Sequence, residues 1–106
     1  MGWNVVKQDE RYVVTDNDVL NKLVTSTTEL NPSFSTTGHS HEGQEEVYIF
    51  IEGNALMEIE HNDNQTIEKV TTGSIVLIED NDFHRVHNKT GEPVEFICVF
   101  NGERSH

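Results

Sequence analysis

Short β-like runs separated by Gly, Asn and Asp punctuate this chain from end to end, and that rhythm restricts its fold more than any other feature. The runs cover residues 4–7, 11–14, 20–25, 34–41, 47–52, 55–61, 66–70, 75–79, 84–88 and 94–100. Turn residues stand between them at Gly53-Asn54, Asn62-Asp63-Asn64, Thr72-Gly73, Asn81-Asp82 and Lys89-Thr90-Gly91. Strands this short and this regularly spaced build an all-β sandwich or barrel rather than a sheet with crossover helices. Helix is confined to residues 16–22, a turn or two with Asp16 as its cap. A chain of 106 residues closes one core, so a single domain over residues 1–106 is expected.

The runs differ in how they alternate. Ala55, Met57 and Ile59 form an inward apolar row, with Glu58 and Glu60 between them facing water. Val47-Tyr48-Ile49-Phe50-Ile51 is instead apolar on both faces. A strand of a lone small barrel keeps one face wet, so a second layer must cover this one. A partner copy's sheet would do so, which makes the chain a homodimer. The chain's own N-terminal strands are the alternative cover.

Charge removes several function classes. Seven Lys and Arg stand against nineteen Asp and Glu, a formal net charge of −12. No cluster of basic residues exists to grip a nucleic acid, and anionic membrane surfaces are repelled. No stretch approaches the ~20 apolar residues of a membrane-spanning helix. The start Met1-Gly2-Trp3-Asn4-Val5-Val6-Lys7 lacks the basic and apolar regions of a signal peptide, so a cytoplasmic location is expected. The lone Cys98 agrees with that location. Set in the apolar run 94–100, it reads as a small core residue rather than a nucleophile.

The histidines carry the chemistry. In an extended run, residues two apart project to one side, so His39 and His41 can reach a common point. Glu46 opens the next strand and can face the same cavity, and His84 begins another. Three imidazoles and a carboxylate suit one borderline divalent ion among Mn, Fe, Co, Ni and Zn. Four such ligands on a six-coordinate ion leave two positions for water or substrate. His87 and Arg85 alternate away from the side of His84, while His61 near a turn and His106 at the end are expected to be exposed.

The spacing His39-x-His41-x4-Glu46-x6-Gly53, followed by Gly73-x10-His84-x3-Asn88, resembles the two motifs of the cupin superfamily. That resemblance implies a double-stranded β-helix, or jelly-roll barrel, with little helix. It also implies that His39, His41, Glu46 and His84 bind the metal, the gap to Gly53 selecting Glu46 over Glu45. Ser33, Glu79 and Asn81 stand where the family has Gly, Pro and Gly, all positions that shape loops rather than ligate. Tyr48, Phe50, Met57, Ile59, Val86 and one of Phe96 and Phe100 are expected around the ion.

Thr36-x-Gly38-His39-x-His41 with Glu46-Val47-Tyr48, and later His84-Arg85 and Glu92-Pro93, are also similar to the cupin-type glucose-6-phosphate isomerases. In that family the equivalents of Thr36, Gly38 and Tyr48 help hold the sugar phosphate. The implied reaction moves a proton between adjacent carbons of an open-chain sugar. The metal polarises the oxygens, and Glu46 or a neighbouring His acts as base. Two other functions suit the same ligand set: an iron-dependent dioxygenase, and a module that binds a small molecule without turning it over.

Overall fold

Nine strands run through the described residues, 3–17 and 19–101, of the computed structural model. They are β1 (Trp3–Gln8), β2 (Tyr12–Asn17), β3 (Leu23–Leu30), β4 (Glu46–Glu52), β5 (Asn54–His61), β6 (Asn64–Thr71), β7 (Ile75–Ile78), β8 (Phe83–His87) and β9 (Val94–Asn101). A six-stranded sheet takes the order β1-β2-β3-β9-β4-β7, and a three-stranded sheet the order β6-β5-β8. Every pairing is antiparallel. This is the double-stranded β-helix that the motifs implied.

Alternation explains where the core lies. In β9, Val94, Phe96, Cys98 and Phe100 are buried and their neighbours are not. Across the ladder, β4 sends Tyr48 and Phe50 to the same side and β3 sends Val24 and Leu30. The second sheet answers with Ala55, Met57, Val70 and Val86. Phe50, Met57, Val86, Phe96 and Phe100 are thus buried as expected, and Ile59 packs against them partly covered. β6 shows one buried residue, Val70, as suits an edge strand dressed with polar side chains.

The turns follow their residues. Asn62 and Asp63 have φ of 49° and 67° between the paired His61 and Asn64, the two-residue hairpin geometry that Asn and Asp favour. Gly53 has φ of 96°, and a Cβ there would stand 2.8 Å from the Pro93 carbonyl oxygen. Only glycine fits.

Three expectations are corrected. Residues 16–22 form no helix: Asp16 and Asn17 complete β2 opposite Ser26 and Thr25. The Asn17 side chain accepts a hydrogen bond from the Val19 amide at 3.1 Å, an Asx turn that competes with helix for the same backbone. Asp18 lies outside the described residues. Residues 34–41 are extended but form no regular strand; isolated bridges join Ser35 to His87 and His39 to His84. These bridges differ by one residue in register, so an extra residue intervenes and the ladder is broken between them. Finally, β1 and β2 prolong the large sheet sideways instead of folding over the outer face of β4. That face carries Val47 and Ile49 half-buried, with Ile75 at 64% and Leu77 at 69% exposure beside them. No helix of the described residues is long and apolar enough to cross a membrane.

Candidate metal centre

Two elements and one irregular segment converge at one end of the barrel. Glu46 enters from the start of β4, its side chain 2% exposed. His84 comes from β8, also 2% exposed. His39 and His41 come from the segment beside β8, which the amide of His39 and the amide of His84 tie down through reciprocal bonds to each other's carbonyls, at 3.3 and 3.1 Å. One ligand atom each from His39, His41 and Glu46 lie within 4.8 Å of one another. His84 falls outside that tightest group but presents Nε2 at 3.1 Å from Glu46 Oε1. The His39 ring centroid is 4.5 Å from that of His41 and 4.9 Å from that of His84.

Tautomers decide what these atoms can hold. His84 Nδ1 donates to the Asp82 carbonyl at 3.0 Å, and His39 Nδ1 donates to the Thr37 carbonyl at 3.2 Å. In the neutral rings each Nε2 therefore carries a lone pair. His84 Nε2 is buried, makes no hydrogen bond, and faces a carboxylate oxygen. Two acceptors so close repel each other unless a cation lies between them. The donor set and this arrangement fit a divalent transition ion, with backbone carbonyls orienting two of the three imidazoles as metal sites require.

The remaining residues singled out in the sequence take distinct places. Tyr48 is buried, stacked on Phe96 with centroids 5.4 Å apart, and meets the His84 ring edge-on at 5.6 Å. Tyr48 and Thr36 both line a cavity of about 40 Å³ that also includes His39, Thr28 and Lys7. Thr36 Oγ1 accepts the Val86 amide at 3.0 Å, leaving its own proton available to a ligand. Gly38 is used for packing: a Cβ there would meet Phe83 Cζ at 2.2 Å and Arg85 Nε at 3.0 Å. Asn88 is fully buried, donating to the Leu30 and Glu92 carbonyls at 3.2 and 2.8 Å and accepting from Thr90. It fastens a loop. Glu45 is exposed, and Cys98 is buried along the cavity wall.

Sequence reasoning missed two networks. Glu58, expected in water, has a side chain only 12% exposed. It accepts hydrogen bonds from His87 Nε2 at 2.7 Å and Gln65 Nε2 at 2.8 Å. The bond from His87, more than that from Gln65, holds its carboxyl below the usual carboxylate range. Ser35 Oγ then donates to His87 Nδ1 at 2.7 Å, so His87 is a largely covered link in a hydrogen-bonded chain. His61 is half exposed but donates from Nδ1 to Asp82 Oδ1 at 2.6 Å. That contact, with Glu79 contributing less, raises the imidazole above its ordinary pKa. Pairing of β5 with β8 was the only signal that could have found either network. His106 lies outside the described residues.

Comparison with known proteins places this arrangement. The sequence matches the Cupin domain family over residues 26–100. Among curated proteins no sequence matches. Among solved structures, oxalate decarboxylase from Bacillus subtilis, studied for its Mn(II) centres, superposes with a TM-score of 0.86 at 18% identity, over 97% of this chain and 29% of that one. The Lactobacillus farciminis oxalate decarboxylase formate complex gives 0.82 at 21% identity, over 89% and 30%. CapF with the inhibitor 3-isopropenyl-tropolone gives 0.82 at 17%, over 93% and 30%. This chain spans under a third of the length of each, and at these identities the likeness is one of fold. With a family match spanning both histidine segments and a barrel that agrees with it, the chain belongs to the cupin-domain family.

Proposed function

We propose that this cupin domain binds one divalent transition-metal ion through His39, His41, Glu46 and His84 and acts on a small oxygen-rich molecule beside it. The observation that carries the reading is the His84 lone pair held at 3.1 Å from Glu46 Oε1, an arrangement that a bound cation stabilises. The Mn(II) centres of the Bacillus subtilis oxalate decarboxylase support it by analogy of fold. The single free Cys98 suits a reducing compartment such as the cytoplasm.

Isomerisation of a hydroxy-carbonyl compound is the first reaction to test, as the similarity to the cupin-type sugar-phosphate isomerases implies. The ion, when bound, supplies polarisation of the substrate's oxygens. Thr36 offers a hydroxyl proton to hold a substrate oxygen, and Tyr48 forms the wall against which its carbon chain rests. Gly38 acts indirectly, by letting Phe83 close over the segment that bears the histidines. Glu46, through the carboxylate oxygen that does not hold the ion, takes a proton from one carbon and returns it to the next.

Elemental analysis of untagged protein tests the reading directly. The expected result is about one manganese, iron, cobalt, nickel or zinc per chain, lost in His41→Ala and His84→Ala. Wild-type protein that holds no metal after reconstitution would overturn it. With metal in place, proton exchange at substrate carbon in deuterated water marks an isomerase. Oxygen consumption with ferrous iron marks a dioxygenase, and thermal stabilisation without turnover marks a binding module.

The same reading includes a homodimer. The outer face of the large sheet supports it, with Leu77, Val47 and Val99 in one row and Ile75, Ile49 and Ile97 in the next.

A further inference from the structure

A straight β1 would leave Lys7 outside the barrel. Its pairing with β2 keeps one register from Trp3 opposite Asn17 to Val5 opposite Thr15, and then slips, so that Lys7 faces Val14 and Gln8 faces Val13. Continued without the slip, Lys7 would stand opposite Val13 on the outer side. Paired residues share a face, and Val14 belongs to the buried core. The slip is a β-bulge in which Val6, 43% exposed, is the extra residue. Bulges re-aim side chains and occur beside functional sites. Lys7 is half-buried while every other residue of β1 is exposed.

The cavity it reaches is the one lined by His39, Thr36 and Tyr48. Among the described residues Lys7 takes part in no ion pair. Arg11, which touches the same rim through Thr37 Oγ1 at 3.0 Å, is neutralised by Asp9 at 2.7 Å. Among the described residues lining this cavity Lys7 is therefore the cation outside any ion pair, in a chain whose net charge of −12 disfavours anions overall. A half-desolvated ammonium gains most from a ligand that brings the opposite charge.

Resting on the metal reading above, we propose that Lys7 is the anion anchor of the cavity. Its ligand is a carboxylate of two or three carbons with a further oxygen for the metal. Size sets the upper limit: a cavity of about 40 Å³ has room for about three waters. Chemistry selects carboxylate over phosphate, because one lysine is a single point charge, whereas phosphate is held by several converging donors or an arginine fork.

Calorimetric titration of manganese-loaded protein with glycolate, its neutral counterpart glycolamide, and inorganic phosphate tests this. Wild type is expected to bind glycolate at least tenfold more tightly than Lys7→Met does. Lys7→Arg should stay within threefold of wild type, and glycolamide should not distinguish the variants. Equal manganese content and melting temperature in all three proteins would show that the metal site and fold are intact. Glycolate binding unchanged in Lys7→Met, or absent from wild type, would overturn the anchor. Lys7-dependent binding of phosphate in preference to glycolate would overturn the carboxylate class. Should the wild type retain no manganese, the metal reading fails by itself. The metal-free protein titrated with glycolate, followed through the Lys7 side-chain NMR signals, then decides the anchor: shifts are expected in wild type, and their absence would overturn it.

Discussion

Ser33 and Asn81 replace two of the four glycines of the family motifs, and both hold a left-handed backbone that glycine adopts readily, with φ of 69° and 64°. Asparagine tolerates the left-handed region through local hydrogen bonding. Serine has no such aptitude, and a Cβ there costs roughly 1–2 kcal/mol, partly offset by the lower chain entropy of a non-glycine residue. Ser33→Gly is therefore expected to stabilise the protein by about 0.5–1 kcal/mol, read as a higher denaturant midpoint at unchanged slope. No gain would mean that this turn relaxes around serine. At these two positions the departure from the motifs changes the side chain and keeps a left-handed backbone.

Between elements, the contact of His61 with Asp82 joins the end of β5 to the turn that leads into β8. Asp82 is the hinge of this arrangement: its carbonyl orients His84, and its second carboxylate oxygen accepts the Glu79 amide at 3.3 Å. Because the contact raises the His61 pKa, its stabilisation is complete below the unfolded value of ~6.5 and is lost as pH rises through the higher folded value. NMR titration should place His61 above 6.5, and Asp82→Asn should bring it back towards that value. An unshifted His61 in wild type would show that the contact does not persist in solution. On the opposite side of β8, the chain Ser35–His87–Glu58 ties down the segment that delivers His39 and His41.

Legibility in the sequence followed the same division. Strands were visible because alternation and turn residues are local properties, and the bounds of β1, β4, β5 and β9 moved by one residue at most. His39 and His41 could be grouped from the sequence because two-residue spacing survives in the irregular segment that bears them, and the start of β4 brings Glu46 within 4.8 Å of both. Lys7, Asp82 and Glu58 were not, since each acquires its role from a partner strand: a register slip for Lys7, and the alignment of β5 with β8 for the others.

At the scale of the molecule, the outer face of the large sheet is the unresolved apolar surface. Val47 lies between Leu77 and Val99, and Ile49 between Ile75 and Ile97, a patch continuous across three strands. Contiguous exposed apolar area is the kind of surface that protein–protein interfaces bury, and in the homodimer proposed above a second copy would present the same patch. Light scattering after size exclusion should give twice the 12.1 kDa chain mass at micromolar concentration. Leu77→Lys should weaken the association at least tenfold without unfolding the chain, because Leu77 is 69% exposed in the single copy. A wild-type monomer would remove the dimer.

The bulge at Val6 also bears on how such a barrel changes over generations. A missense change alters what a position is made of, whereas loss or gain of one codon in β1 shifts one part of the strand relative to the other. Loss of Val6 would bring Val5 and Lys7 into one continuous register, still opposite Thr15 and Val14, so the strand would straighten with Lys7 kept on the cavity side. Closing the bulge with Val6 retained would instead set Val6 opposite Val14 and turn Lys7 outward, exchanging a charged lining residue for an apolar one. In this domain, what lines the cavity is written in strand register as well as in residue identity.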